Sequence, residues 1–331
     1  MSIIWNMHLG KHTQAYKGVR VLVTGAGGFI GSHLLSSLVE AGADVCGVVR
    51  EKAKVSHSAL TKGVYLYEAN LEDVLETKKV IGESRSEIVF NAASSTDTRR
   101  TFDIFDPVLQ GTYGITESVV NACVSAGTRK LVQFGTIEEY GTNTAPFLES
   151  MREEPISPYS LGKTMATHRV LLAGKLTPLK VTVVRPAATF GPGKDFTMLI
   201  PNIIKAGIER NDFDMNDGEQ IRDFIYVDDV VDGVLKVGMS EKADGEIINL
   251  GSGKGIKVRE VAQMVNTAMG GSIRINFGTE AYRPLDGRPF YMNSNKARDL
   301  LQWEASTAII DGIQETVDWY REHYKDLAKQ I

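Results

Sequence analysis

Three side chains in this sequence have the types and spacing for moving a proton. Tyr159 and Lys163 stand four positions apart in Tyr159-Ser160-Leu161-Gly162-Lys163. Positions four apart share one face of a helix, so phenol and ammonium meet there. A nearby ammonium lowers a phenol's pKa and makes it a usable proton donor or acceptor. Such a pair is common by chance, so its meaning depends on its surroundings. Thr136 follows the run Leu131-Val132-Gln133-Phe134. That places it at the carboxyl end of an expected strand, where α/β sheets bind ligands. Its hydroxyl either orients a substrate oxygen or caps a turn, as threonine often does.

A second group of residues could hold a phosphate. Gly25-Ala26-Gly27-Gly28-Phe29-Ile30-Gly31 joins the apolar strand 19–24 to the helix 28–41. Gly25 permits a tight turn, Gly28 lets backbone approach a pyrophosphate, and Gly31 lets helix and strand pack closely. The free N–H groups of this start, with those of Phe29 and Ile30, and the helix dipole then face phosphates. A plain glycine-rich turn is the other meaning of the run. In the NAD pattern an acid about 20 positions on holds the ribose 2′-hydroxyl. Here the second strand ends in Val48-Val49-Arg50. A guanidinium fits a 2′-phosphate through bidentate hydrogen bonds and stacks on adenine. Arg50 therefore favours NADP over NAD, unless it is a solvated surface arginine. Lys52 either assists or points to water.

These residues need a scaffold, and the pattern supplies one. Strands are expected over 19–24, 45–49, 64–67, 87–90, 130–134 and 180–184. Helices are expected over 28–41, 72–81, 107–126 and 159–173. The alternation implies an α/β fold, a Rossmann-like doubly wound parallel sheet. After residue 186 the pattern loosens. Helices over 198–208, 227–237, 258–269, 296–301 and 309–324, with a strand over 247–250, suggest a smaller mixed α/β lobe. We divide the chain into a dinucleotide-binding domain, 19–190 with 226–252 returning to it, and a substrate lobe, 191–225 with 253–325. Residues 1–18 form an arm, either frayed or docked.

Composition narrows the classes. Of 331 residues, 43% are hydrophobic and 24% charged, as in an ordinary globular protein. A net charge of −4 gives no basic field for nucleic acid. The start is neither a secretory signal nor a membrane span, so no membrane partner is expected. Two cysteines, Cys46 and Cys123, cannot build a disulfide framework, and zinc-ligand spacing is absent. No metal is expected, and a cytoplasmic location is the simplest.

Taken together, the marks resemble the extended short-chain dehydrogenase/reductase family, the NAD(P)-dependent nucleotide-sugar epimerases, dehydratases and reductases. The marks are the glycine run with Thr24 before it, Gly135-Thr136-Ile137-Glu138-Glu139-Tyr140-Gly141, and Ser157-Pro158 leading into Tyr159 and Lys163. Further on stand Arg185-Pro186, Phe190-Gly191-Pro192-Gly193, Arg222-Asp223-Phe224-Ile225-Tyr226-Val227-Asp228-Asp229 and Arg283-Pro284-Leu285-Asp286, with Trp303 and Trp319. The resemblance covers roughly 19–324. It implies that Tyr159 is the general acid/base and that Lys163 holds the nicotinamide ribose. It gives Thr136 the serine/threonine role. Asn70 and Leu71 match an Asp-Leu pair near adenine, with Asn in place of Asp, and Ala92 and Ala93 line the dinucleotide. Arg222 and Arg283 match arginines that grip a nucleoside diphosphate, a task suited to arginine forks. Surface salt bridges are the alternative for both.

Residues that reach the sugar are expected after the strand 87–90, at Ser94, Ser95, Thr96 and Arg99, because strand-end loops carry sites. Residues 211–215 lie either near the base or in a surface turn. Family members pair two long helices across a homodimer, for which Tyr113, Ile115, Val119 and Val120 are candidates if they are not plain core. Three chemistries compete at sugar C4. In 4,6-dehydratases an Asp-Glu pair follows the threonine. Here Ile137 stands in place of the aspartate, and only Glu138 is left to face the substrate. Epimerases retain NAD and usually carry an acid where Arg50 stands. The leading expectation is therefore NADPH-dependent reduction of a nucleotide-linked 4-keto-6-deoxy sugar, with the proton from Tyr159. The alternative is an NAD(P)-dependent nucleotide-sugar 4-epimerase. A dehydratase and a non-catalytic dinucleotide-binding protein rank below both.

Overall fold

Short apolar runs ending in polar residues, each followed by an amphipathic segment, build the scaffold. The computed structural model describes residues 13–51, 64–282 and 285–327. In chain order the first half comprises β1 (Arg20–Thr24), α1 (Phe29–Glu40), β2 (Asp44–Val49), β3 (Tyr65–Glu68), α2 (Val74–Ser84) and β4 (Ile88–Asn91). There follow α3 (Phe105–Leu109), a π turn (Gln110–Gly114), α4 (Ile115–Ala126), β5 (Lys130–Phe134), α5 (Pro158–Leu176) and β6 (Lys180–Pro186). β1, β4 and β5 are buried on both faces, which is why they read as continuous apolar runs.

The second half holds β7 (Ala188–Phe190), α6 (Leu199–Glu209), β8 (Phe213–Met215), β9 (Ile221–Arg222), β10 (Phe224–Tyr226), α7 (Val227–Met239) and β11 (Ile247–Leu250). The last elements are β12 (Ile256–Lys257), α8 (Val258–Ala268), β13 (Ile275–Phe277), α9 (Asn295–Leu301) and α10 (Ile309–Leu327). Seven parallel strands form one sheet in the order β11-β6-β5-β4-β1-β2-β3. This is the expected doubly wound sheet. The order reverses between β1 and β4, which opens a crevice at their carboxyl ends. One face packs α1 against α7, and the other packs α2, α4 and α5. Each face has its own apolar core.

Two expectations are modified. The single helix expected over 107–126 contains the π turn 110–114. There the Gly111 carbonyl accepts the Ser95 amide at 2.6 Å, bonding the loop after β4 into the widened turn. π turns of this kind are frequent at functional sites. The short strands β7 to β10, β12 and β13 were not legible, because two or three residues carry no periodicity. They form three two-stranded sheets, β10 with β7, β12 with β9 and β13 with β8, beside α6, α8 and α10. Thr13–Tyr16 is a short 3-10 helix. Tyr16 is buried and its hydroxyl donates to the Leu235 carbonyl at 2.8 Å, so this end of the arm is docked.

Candidate active site

The glycine turn is held as its sequence requires. Gly25 has φ +65, a conformation that favours glycine, and a Cβ there would lie 2.9 Å from the Ala93 nitrogen. A Cβ on Gly31 would lie 2.1 Å from the Gly25 carbonyl oxygen. On Gly28 a Cβ would meet only the Gly25 oxygen, at 3.1 Å, so its outer side faces open space. α1 starts with no side-chain cap and no acid in its first turn. The amides of Phe29, Ile30 and Gly31 occupy its first turn, where helical N–H groups lack an intrahelical partner. The positive end of the helix dipole is therefore presented uncompensated, as a pyrophosphate requires.

Beneath the crevice a buried polar chain crosses the strand ends. The Ala93 amide donates to Thr24 Oγ1 at 3.2 Å, and that hydroxyl donates to Asn91 Oδ1 at 2.6 Å. Asn91 Nδ2 donates to Gln133 Oε1 at 2.7 Å, and Gln133 Nε2 donates to the Phe134 carbonyl at 3.1 Å. The same carbonyl accepts from Lys163 Nζ at 2.8 Å. Thr24, Asn91, Gln133 and Lys163 are all buried. Satisfied networks of this kind rigidify a site, and this one ties the glycine turn to the lysine. Sequence reasoning missed Thr24, Asn91 and Gln133 as members. The signal was present: each is polar in or at the end of a strand that is otherwise apolar.

α5 carries the pair. Pro158 stands in its first turn and Ser157 caps it, its hydroxyl accepting the Ser160 amide while Ser160 Oγ accepts the Ser157 amide. Tyr159 and Lys163 share a face, with the ammonium 5.7 Å from the phenol ring centroid. Thr136 takes the capping role: its hydroxyl accepts the Glu138 amide at 3.3 Å, closing the 3-10 turn Ile137–Tyr140.

Electrostatics correct one sequence expectation. The Tyr159 phenol is pushed well above its ordinary pKa, first by burial and then by the Glu138 carboxylate, with the Thr136 hydrogen bond opposing. Lys163 was expected to lower that pKa. Its ammonium instead turns to the Phe134 carbonyl, and burial lowers its own pKa to about 8, against the pull of Glu139. In this state Tyr159 is a neutral phenol, fit to donate a proton, and Lys163 is charged at neutral pH.

The other expected residues are placed as follows. Arg50 follows β2 with its side chain exposed. Asn70 begins the turn into α2, its Oδ1 accepting the Glu72 amide at 3.2 Å and its own amide donating to Glu76 Oε2 at 2.7 Å, while Leu71 is buried. Ala92 and Ala93 are half-buried after β4, beside Gly25. Ser94 Oγ donates to Thr112 Oγ1 at 3.4 Å, and Thr96 is exposed. Arg99 pairs with Asp97 at 2.7 Å and is 62% exposed, so it is turned to solvent. The Arg222 guanidinium donates to the Asp286 carbonyl at 2.8 Å, to its carboxylate at 2.7 Å and to the Arg288 carbonyl at 2.9 Å. The salt-bridge alternative is thus realised for Arg222 in this state. Lys52 and Arg283 lie outside the described residues. Ile115, Val119 and Val120, candidates for a dimer face, are core. Asp212 and Asp214 belong to the surface segment around β8. Among the described residues no helix is long and apolar enough to cross a membrane.

A doubly wound sheet with a glycine cradle at its switch point and a Tyr-Lys pair beside it defines a dinucleotide-binding α/β protein. Residues 21–251 match the NAD dependent epimerase/dehydratase family, and the chain belongs to that family of enzymes. It is 30% identical over 321 residues to a UDP-glucose 4-epimerase of Mycolicibacterium smegmatis, covering 92% of this chain and 99% of the relative. It is 28% identical to a UDP-N-acetyl-alpha-D-glucosaminuronate decarboxylase of Bacillus cytotoxicus, over 93% of this chain and 99% of the relative. Among solved structures it is similar to MoeE5 in complex with UDP-glucuronic acid and NAD, at 26% identity and TM-score 0.81, covering 91% of this chain and 99% of that one.

Proposed function

We propose that this enzyme is a nucleotide-sugar 4-epimerase that retains its NAD. The observation that carries the reading is that Tyr159 and Lys163 share one face of α5, with the Lys163 ammonium tied to the glycine turn through the buried polar chain Phe134-Gln133-Asn91-Thr24. A UDP-glucose 4-epimerase as a relative along nearly the whole chain supports it, as does MoeE5, similar in fold and described with NAD. The cradle fits the dinucleotide: the close-packed glycines leave its mouth to backbone, and no acid opposes the phosphates there. Gly25, Gly28, Phe29, Ile30 and Gly31 would hold the pyrophosphate, Asn70 and Leu71 would flank the adenine, and Ala92 and Ala93 the rest. When bound, the oxidised dinucleotide supplies reversible hydride acceptance and a positive charge beside the phenol.

The protein's own residues handle the proton. A positive charge near Tyr159 would lower its raised pKa. The phenolate can then take the proton of the C4 hydroxyl as C4 is oxidised, and return it to that oxygen when C4 is reduced from its other face. Thr136 orients that oxygen, and the Lys163 ammonium fixes the ribose. Ile137 offers no acid for water elimination, which argues against a 4,6-dehydratase. Glu138, beside Tyr159, faces the sugar. Ser94 and Thr96 contact the sugar from the loop after β4. Arg222 and Arg283 grip the diphosphate, Arg222 exchanging the Asp286 carboxylate for it.

A second reading is favoured by one observation. Arg50 stands exposed at the end of β2, where a 2′-phosphate is met, and this suits an NADPH-dependent reductase of a 4-keto-6-deoxy sugar nucleotide. The two readings differ in what is bound and what is consumed. The purified protein, denatured and its released nucleotide identified by mass, should yield NAD. Release of NADP, or of neither with later saturation by NADPH alone, would move the assignment to the reductase.

The enzyme is proposed to act as a homodimer through α4 and α5. Val124, Leu172 and Leu176 are exposed apolar residues that line one groove between these helices. Exposed contiguous apolar surface marks interaction sites. Leu172→Glu combined with Leu176→Glu should halve the mass measured by sedimentation. A wild-type protein that sediments as a monomer would remove the proposal.

A further inference from the structure

The loop Phe190-Gly191-Pro192-Gly193 and the Asp228 carboxylate take no part in the proton and hydride chemistry, yet they meet at one side chain. His33, in the second turn of α1, is 1% exposed. Its Nε2 stands 2.9 Å from the Pro192 carbonyl oxygen, and its Nδ1 stands 3.4 Å from Asp228 Oδ1 in the first turn of α7. A carbonyl only accepts, so Nε2 is the nitrogen that carries a hydrogen toward the loop. The loop is fixed on its other sides as well. A Cβ on Gly191 would lie 2.6 Å from Val227 Cγ1, so its backbone is pressed against the start of α7. The Tyr320 hydroxyl of α10 donates to the Lys194 carbonyl, and the Phe196 ring packs on Tyr320 with centroids 5.2 Å apart.

This bracing decides where one ammonium lies. Lys194 Nζ stands 4.6 Å from the centroid of the Phe29 ring. Phe29 is the first residue of α1, and its ring lies on the His33 side of that helix, edge-on with centroids 5.6 Å apart. Its backbone belongs to the glycine cradle, where the first-turn amides lack an intrahelical partner. The loop follows β6 and β7, and β6 lies on the β4 side of the switch point, whereas α1 follows β1. Lys194 thus reaches the helix start from across the crevice. A dinucleotide lying in that crevice is met from both sides.

The charges are complementary. A pyrophosphate carries one negative charge on each phosphate, whereas a helix start offers about half a positive charge. The first turn of α1, Phe29-Ile30-Gly31-Ser32, has no charged side chain. We infer that Lys194 is a dinucleotide-binding residue, the side-chain cation that meets the pyrophosphate from the loop after β7 while the α1 amides meet it from the side of β1. Burial holds the Lys194 pKa below the usual lysine value, with Asp195 opposing, so an incoming anion stabilises its charged form. The competing account is packing alone: a cation resting on an aromatic ring serves stability and leaves ligand affinity untouched.

The inference rests on the pyrophosphate lying at the glycine turn, and it is independent of the sugar chemistry because NAD and NADP share that group. The readout is the release of NAD from the loaded protein into excess ADP-ribose, with UDP affinity as the control for the rest of the site. Lys194→Met keeps the apolar stem on Phe29 and removes the charge. It should release NAD about tenfold faster, the low end for a contact to a charged group, since lost contacts act mostly on the off-rate. The gap should narrow as salt is raised, because screening weakens the charge that the wild type keeps. Lys194→Arg, which keeps the charge, should stay within a few-fold of the wild type, and UDP affinity should not change in either variant. Release from Lys194→Met as slow as from the wild type, equally fast release from Lys194→Arg, or a gap unaltered by salt would overturn the inference. Loss of UDP affinity in step with the faster release would overturn it too, by showing a general disturbance. A wild type that retains NADP in place of NAD removes the epimerase reading, and the same comparison with NADP then decides the role of Lys194. A wild type that binds neither dinucleotide removes both.

Discussion

Tyr159→Phe should lower kcat by about 10³-fold while leaving dinucleotide and UDP affinity near those of the wild type. General acid–base catalysis by a placed side chain contributes roughly 10² to 10⁴ in rate. As the proposed acid/base, Tyr159 places the loss at about the middle of that range. Phenylalanine keeps the ring and its packing on α5, and the Lys163 bond to the Phe134 carbonyl does not involve the phenol. Binding, which we propose uses the glycine cradle and Arg222, is therefore spared. Single-turnover hydride transfer measured beside calorimetric binding checks both halves. A variant with turnover within a few-fold of the wild type would take Tyr159 out of the chemistry.

Gly31→Ala should lower dinucleotide affinity by about 100-fold, worth about 3 kcal/mol. One methyl group does this because of where it lands. It would lie 2.1 Å from the Gly25 oxygen and 2.9 Å from its carbonyl carbon, both backbone atoms of the turn proposed to face the pyrophosphate. Neither atom belongs to a side chain that can rotate away. Relief requires α1 to move off β1, which spoils the amide geometry of the cradle. Overpacking of this kind also costs about 1–3 kcal/mol of folding stability. The melting temperature should therefore fall even without ligand. Calorimetry with the dinucleotide reads the affinity, and near-normal binding would mean that the phosphates do not sit at this turn.

The fold was legible where residues repeat. Alternating apolar strands and amphipathic helices led to the sheet, because burial on both faces leaves a continuous signal in β1, β4 and β5. The second half of the chain was less legible, since β9 and β12 are two residues each and exist through pairing with distant chain. Arg222 shows another limit. Its type suggested a phosphate, but Asp286, 64 residues away, takes its fork in this state. Ile115, Val119 and Val120 were ambiguous between core and interface, because an apolar helix face looks the same in both.

The site was legible in its motifs and not in their support. Thr136, Tyr159 and Lys163 stand in recognisable strings. Glu139 sits beside one of them and was passed over, because its partners Thr167 and Arg185 come from elsewhere in the chain. The direction of the Tyr159 pKa was likewise misjudged from spacing alone. Four residues on a helix bring phenol and ammonium to one face, but burial and Glu138 raise the phenol's pKa while the ammonium turns to the Phe134 carbonyl.

The most direct measurement is to incubate the purified protein with UDP-glucose, without added cofactor, and follow the sugar by proton NMR and the reduced dinucleotide by absorbance. The expected result is formation of the 4-epimer to equilibrium with no net gain of reduced dinucleotide. A sugar left unchanged here, with one NADPH oxidised per molecule when a 4-keto-6-deoxy sugar nucleotide is supplied, would contradict the epimerase and establish the reductase in its place.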